Sequence, residues 1–281
     1  MKIAVMTDST SYISENLIDK YNIHIVPLSV VFGDTSYREG IDITTEEFYQ
    51  KVKEAEQLPK TSQPSIGMIS SKFEELAKDY DAVISIHLSS GISGTYQAVV
   101  SAGEMVDGID VYPYDSELSC MGQGFYVLEA AEQSEALDTP EAIIARLDEM
   151  KQSMRAYFMA DDLTHLQRGG RLNSAQAIVG SLLQVKPVLH FVDKKIVPFE
   201  KIRTRKKALN RIMSMLREEA SHGKNLKVAF IHANNEEAAV ELKEQFDAEY
   251  PGMDTTISYF GPVIGTHLGE GALGACWYTK A

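Results

Sequence analysis

Short β-rich runs alternate with helix-forming segments through the first half of this chain, and that alternation narrows the possible folds more than any single motif. Segments 2–6, 23–31, 82–88 and 110–114 read as strands, being short and rich in Val, Ile and aromatic residues. Between and after them, 15–21, 65–79, 93–105, 119–134 and 140–154 carry helical periodicity. Thr44 followed by Glu47 forms a capping box for a further helix through about residue 53. Thr139 before Pro140 marks another start. Residues 32–35 form a turn, and Tyr37 to Gly40 closes a small hairpin. Regular alternation of this kind predicts an α/β domain, layered α/β/α, with a mostly parallel sheet.

The second half has a different rhythm. Strands are expected at 155–160, 185–191, 195–202, 228–232, 255–260 and 276–279, with helices at 174–183, from Thr204 to Gly223, and at 236–250. This reads as an α+β domain with a mixed sheet. With 281 residues, the chain exceeds what one core comfortably serves, so two domains are expected, 1–160 and 161–281. A net charge of -13 argues against general nucleic-acid or anionic-membrane binding. No stretch reaches the ~20 apolar residues that span a bilayer. The first strand begins at residue 2 with no signal-peptide pattern ahead of it, and Cys120 and Cys276 are too few for a disulfide framework. The expectation is a cytoplasmic protein without a metal or cofactor.

Two hydroxyl-rich clusters each open a helix: Thr61-Ser62-Gln63-Pro64-Ser65, and Ser89 to Tyr96. Backbone N–H groups at a helix start lack intrahelical partners and can hold an anion, with Ser and Thr adding uncharged donors. Thr61, Ser62, Ser93, Gly94 and Thr95 are therefore candidates for binding a small acidic group; plain helix capping is the alternative for each. His267 lies in Gly265 to Gly271, a segment so rich in glycine that an open, ligand-facing loop is expected. Arg171, after Gly169-Gly170, either faces the same cleft or is solvated. Between 194 and 207, seven basic residues stand against the single acid Glu200, forming either a solvated face or a docking patch on an otherwise acidic protein. Met121, Phe158 and Ile264 read as ordinary core residues. No P-loop, kinase catalytic loop or complete dinucleotide fingerprint is present. A serine hydrolase or acyltransferase using Ser93 and His267 is the rival reading, although Gly91-Ile92-Ser93-Gly94-Thr95 is not a nucleophile elbow.

Taken together, the motifs resemble the DegV family, the fatty-acid-binding subunits of bacterial fatty acid kinase. Thr7-Asp8-Ser9-Thr10, Pro27-Leu28, Tyr37-x-x-Gly40 and the TSQPS and SGTY segments carry the resemblance. So do Leu166-x-x-Gly169-Gly170-Arg171, Lys186-Pro187, Arg203 with Lys206-Lys207, and Gly265-Thr266-His267, in order along the whole chain. One departure is Glu270, where the family's glycine loop usually has proline. The resemblance implies a carrier that is not itself an enzyme, holding a long-chain fatty acid in an apolar tunnel between two domains. Residues matching Thr61, Ser93 and His267 would hold the carboxylate, with Ser62 and Arg171 nearby. A separate ATP-binding subunit, similar to dihydroxyacetone kinases, would convert the bound acid to an acyl-phosphate. The surface around Arg171, Arg203, Arg205 and Lys206 would face that kinase, and a protonated His267 would stabilise the added phosphate charge.

Overall fold

The computed structural model describes residues 1–136, 139–172 and 185–280. The helix expected at 174–183 lies outside the described residues.

Strand periodicity explains the layering. In β1 (Ile3–Asp8), Ala4 and Met6 turn to one core while Ile3 and Val5 turn to another, because successive side chains point to opposite faces. β2 (His24–Val26), β1, β6 (Ala82–His87) and β7 (Asp110–Asp115) form a parallel sheet in the order β2-β1-β6-β7. One face is covered by α3 (Ile66–Leu76) and α4 (Thr95–Gly103), with Ile69, Phe73, Ala98 and Val99 buried against it. The other face meets α5 (Cys120–Ser134). A small antiparallel sheet flanks this unit, in the order β4 (Thr35–Arg38), β3 (Ser29–Phe32), β5 (Lys60–Ser62).

The second sheet is mixed, in the order β10-β9-β8-β13-β11-β12. Its strands are β8 (Arg155–Met159), β9 (Val188–Val192), β10 (Lys195–Glu200), β11 (Leu226–His232), β12 (Asp254–Tyr259) and β13 (Leu273–Thr279). Only the β11–β12 pair is parallel. Alternation again divides the faces. Leu273, Ala275 and Trp277 pack outward with α8 (Arg205–Ser221) and α9 (Glu236–Glu249). Cys276 and Tyr278 face inward, toward α5 and the first half.

The α/β class, with one parallel and one mixed sheet, is therefore as the sequence predicts. The remaining described helices are α1 (Glu15–Tyr21), α2 (Thr45–Glu54), α6 (Pro140–Ser153), α7 (Thr164–Arg168) and α10 (Pro262–Leu268). The predicted capping box is formed: Thr44 Oγ1 accepts from Glu47 N at 3.2 Å, and Glu47 Oε2 accepts from Thr44 N at 2.8 Å. β8 lies ahead of residue 160 yet sits inside the second sheet, so the change of sheet falls between α6 and β8. The halves share one core, which runs from Val5 through Phe125 to Cys276.

Three local expectations need correction. Segment 23–31 is two strands in two sheets, because Pro27 offers no N–H and Leu28 N is taken by Ser9 Oγ at 3.1 Å. Thr61 and Ser62, expected at the opening of a helix, lie in strand β5, paired with Val30 and Ser29 of β3. The glycine-rich return after Phe260 is not open. Pro262 starts α10, whose residues Val263, Ile264, Thr266 and Leu268 are buried.

Candidate functional site: an apolar tunnel with a polar throat

Against the inner face of the mixed sheet, between it, α10, the start of α5 and the segments that follow β2 and β6, lies an apolar tunnel, about 730 Å³ of space free of protein atoms including the part open to solvent. Leu28, Ile92, Phe158, Phe191, Ile231 and Ile264 line it. Phe158 and Ile264 thus belong to the lining as well as to the core, whereas Met121 packs in the core alone. The space exists because small residues occupy the central strands of the mixed sheet, Ala156 on β8 beside Cys276 and Gly274 on β13. Both cysteines line the tunnel as free thiols, and burial pushes each thiol well above its usual range, so they act as small neutral groups.

Thr61 from β5, Ser93 ahead of α4, Ser119 ahead of α5, Arg171 after α7 and His267 on α10 interrupt the apolar wall with polar side chains. Thr61, Arg171 and His267 also line a second, polar basin, together with Lys60, Asp162, His165 and Arg168. The three shared residues form the throat between the two spaces. Thr61 Oγ1 lies 2.9 Å from His267 Nε2. Arg171 Nε donates to the Ile92 carbonyl at 3.0 Å, which holds the guanidinium beside Ser93. The glycine before Gly170 has a steric reason. A Cβ on Gly169 would stand 2.3 Å from His267 Nδ1, so any other residue would displace the imidazole.

Burial, followed by the charges of Arg171 and His165, pushes His267 down to about 4. The unliganded throat therefore presents a neutral imidazole at neutral pH, not the imidazolium expected from the sequence. Burial also lowers the pKa of Arg171, although a guanidinium stays charged. A carboxylate arriving from the tunnel would meet one fixed cation, two hydroxyls and a neutral ring N–H or acceptor.

The other predicted site residues are placed differently. Ser62 is exposed and donates to the Gln63 carbonyl at 3.3 Å. Gly94 is exposed, and Thr95 is buried with its hydroxyl 2.9 Å from Ser93 Oγ. None of these three lines the tunnel or the basin. Ser93 lines the tunnel, and its Oγ accepts from Thr95 N at 3.2 Å at the start of α4. Arg205 is held by Asp161 and by the Gly271 carbonyl, whereas Arg203 and Lys206 are exposed. Glu270, the departure from the family pattern, pairs with Lys53 at 2.8 Å and accepts from Asn234 at 2.6 Å, tying the end of α10 to α2.

A Ser–His–Asp alignment exists elsewhere and escaped the sequence reading. His87 Nδ1 lies 3.0 Å from Asp8 Oδ2, and His87 Nε2 lies 2.6 Å from Ser85 Oγ. All three side chains are sealed from solvent, so the alignment joins β1 to β6 and offers no substrate a path to Ser85. Its signal was alternation along β6, which puts Ser85 and His87 on one face. Among the described residues, no group of three or more His, Cys, Asp or Glu side chains could hold a metal ion, and no helix is long and apolar enough to cross a membrane.

Known proteins share this sequence and architecture. A family model described as uncharacterised protein, DegV family, matches residues 2–280. Protein DegV of Bacillus subtilis is 59% identical over 281 residues, covering 100% of both chains. The crystal structure of DegV from Bacillus subtilis, described as a fatty acid binding protein, superposes with a TM-score of 0.95 at 59% identity and full coverage of both chains. A stearic acid-binding protein from Eubacterium ventriosum gives a TM-score of 0.89 at 26% identity, covering 99% of this chain and 98% of its own. By full-length match, identity and shared architecture, this chain belongs to the DegV family.

Proposed function

We propose that this protein binds one long-chain fatty acid, its tail in the tunnel and its carboxylate at the throat, and presents that carboxylate to a separate ATP-dependent kinase. The observation that carries this reading is that Thr61, Arg171 and His267 border both spaces. An acid anchored there keeps its tail dry while its oxygens face the basin. The fatty acids named for its structural relatives support the ligand class.

The energetics divide the work. A tail of about fifteen methylenes at ~0.8 kcal/mol each contributes a gross ~12 kcal/mol, before ordering costs. Burying the carboxylate costs several kcal/mol unless it is hydrogen-bonded. Bonds from Arg171, Thr61 and Ser93, at ~1.5–3 kcal/mol each to a charged group, offset that cost. Affinity then comes from the tail, and selection of an acid over other lipids comes from the throat.

The phosphoryl donor would enter on the partner, a cytoplasmic kinase subunit resembling dihydroxyacetone kinases, with Arg171, Arg203, Arg205 and Lys206 facing it. No nucleotide motif occurs in this chain, in keeping with a carrier that is not itself the catalyst. His267 faces Thr61, and Ser93 faces Thr95. That pairing favours carboxylate binding over the nucleophile couple Ser93–His267 of the hydrolase reading. The test is chemical. Lipid extracted from purified protein should be free fatty acid at about one per chain, and adding the kinase with ATP and hydroxylamine should yield fatty acyl hydroxamate. Turnover of an activated ester by this chain alone, lost in Ser93→Ala, would instead establish the hydrolase.

A further inference from the structure

The motif Tyr37-x-x-Gly40 contains a carboxylate that the proposed site does not use. Glu39 follows β4, is only 4% exposed, and does not line the tunnel. Its Oε1 accepts from Val263 N at 2.8 Å and from Tyr12 Oη at 2.9 Å, and its Oε2 accepts from Ser9 Oγ at 2.5 Å. Tyr12 Oη in turn accepts from Ile264 N at 3.3 Å. The first N–H groups of a helix have no intrahelical partner. In α10, two consecutive ones are satisfied by side chains from the other half of the molecule.

This matters because of what α10 carries. Val263 and Ile264 form tunnel wall, and His267, about one turn further on, reaches the throat. The helix has only 7 residues, so a shift or tilt at its start is carried to His267 undiminished. Tyr49 Oη donates to the Phe260 carbonyl at 2.8 Å and fixes the chain just ahead of α10. Glu39 is thus the ionisable carboxyl at the centre of the clamp, held by Ser9, Tyr12 and Val263 N. Burial, opposed by the hydrogen bonds from Ser9, Val263 and Tyr12, pushes its carboxyl up to about 7, and the Asp8 carboxylate adds to the rise.

We propose that Glu39 is a positioning residue for acid recognition: by clamping the start of α10 from the opposite half, it places the His267 imidazole at the throat and sets selectivity for a free acid over a neutral lipid of equal length. This rests on the fatty-acid reading above. Affinities for palmitic acid and for methyl palmitate, measured on the same delipidated protein, test it. In Glu39→Ala, preference for the acid should fall about tenfold, the effect of weakening one hydrogen bond to a charged group, with methyl palmitate binding weakened much less than palmitic acid binding. Glu39→Gln retains an acceptor for Val263 N and should keep the preference. The imidazole resonances of His267, read by NMR, should shift in Glu39→Ala and not in Glu39→Gln.

Equal weakening of acid and ester binding would overturn the clamp, since loss of general stability lowers both. So would full acid preference in Glu39→Ala. If that variant does not fold, Tyr12→Phe removes only the acceptor for Ile264 N and the donor to Glu39, and the same loss of acid preference is required of it. Wild-type protein that binds neither lipid overturns the fatty-acid reading and the clamp together, whereas acid-selective wild type with unaltered variants overturns the clamp alone.

Discussion

A neutral imidazole can accept or donate a hydrogen bond but carries no charge, and this defines what His267 does at the throat. Its folded pKa of about 4 lies below the ordinary 6.5. Between those values the unfolded chain takes up a proton that the folded chain refuses. Stability from this group is therefore full above pH 6.5 and is lost as pH falls toward 4. His267→Gln removes the penalty, so the unliganded variant should lose less thermal stability than wild type between pH 6.5 and 4.5, as read by the unfolding midpoint in a pH series. Parallel losses would mean that the imidazole is solvated and free to protonate. At this scale residue types were legible from the sequence and partnerships were not. Thr61, Ser93, Arg171 and His267 were recognisable as groups suited to an acid. The contact of Thr61 with His267 spans 206 positions, and the role of Glu39 depends on a helix that begins more than two hundred residues later.

At the scale of elements, α10 and β5 show where sequence reasoning failed. Four glycines between 261 and 271 suggested a loop, yet glycine marks close approach as readily as flexibility. A Cβ on Gly265 would stand 2.7 Å from Tyr49 Oη and 2.9 Å from the Phe48 ring, so glycine lets α10 lie flat against α2. Lys60–Ser62 has only three residues, too few for periodicity to register, and is a strand because β3 offers an edge. Helices with their own caps were legible, since Thr44, Ser65, Thr139 and Thr204 each accept from a backbone N–H inside the helix they open. The tunnel wall belongs to this scale too. Ala156→Leu on β8 adds bulk beside Cys276, where the central strands leave space. It should shift bound lipid toward shorter chains without loss of acid preference, as checked by mass spectrometry of extracted fatty acids. An unchanged chain-length profile would mean that the tail runs elsewhere.

For the whole molecule, the α/β class was legible because alternation and caps are local signals, whereas the tunnel was not. A cavity is made by what its walls lack, and Ala156, Gly274 and Cys276 are unremarkable in sequence. The charge distribution is a global property with a separate consequence. Arg203 and Lys206 stand exposed on a chain of net charge -13, so a docking partner should feel them over about a Debye length of 8–10 Å. Replacing both by Glu should slow acyl-phosphate formation with the kinase, and added salt should slow the wild type in the same direction; fatty acid affinity should not change. Loss of fatty acid binding in that double variant would place the basic stretch in the pocket instead. The most direct measurement is a crystal structure of the protein with palmitic acid. The account predicts a chain threaded along the inner face of the mixed sheet past Phe158 and Ile264, with a carboxylate oxygen within hydrogen-bonding distance of Thr61, Ser93, Arg171 or His267. A carboxylate at any other place, or a tunnel holding water alone, would contradict it.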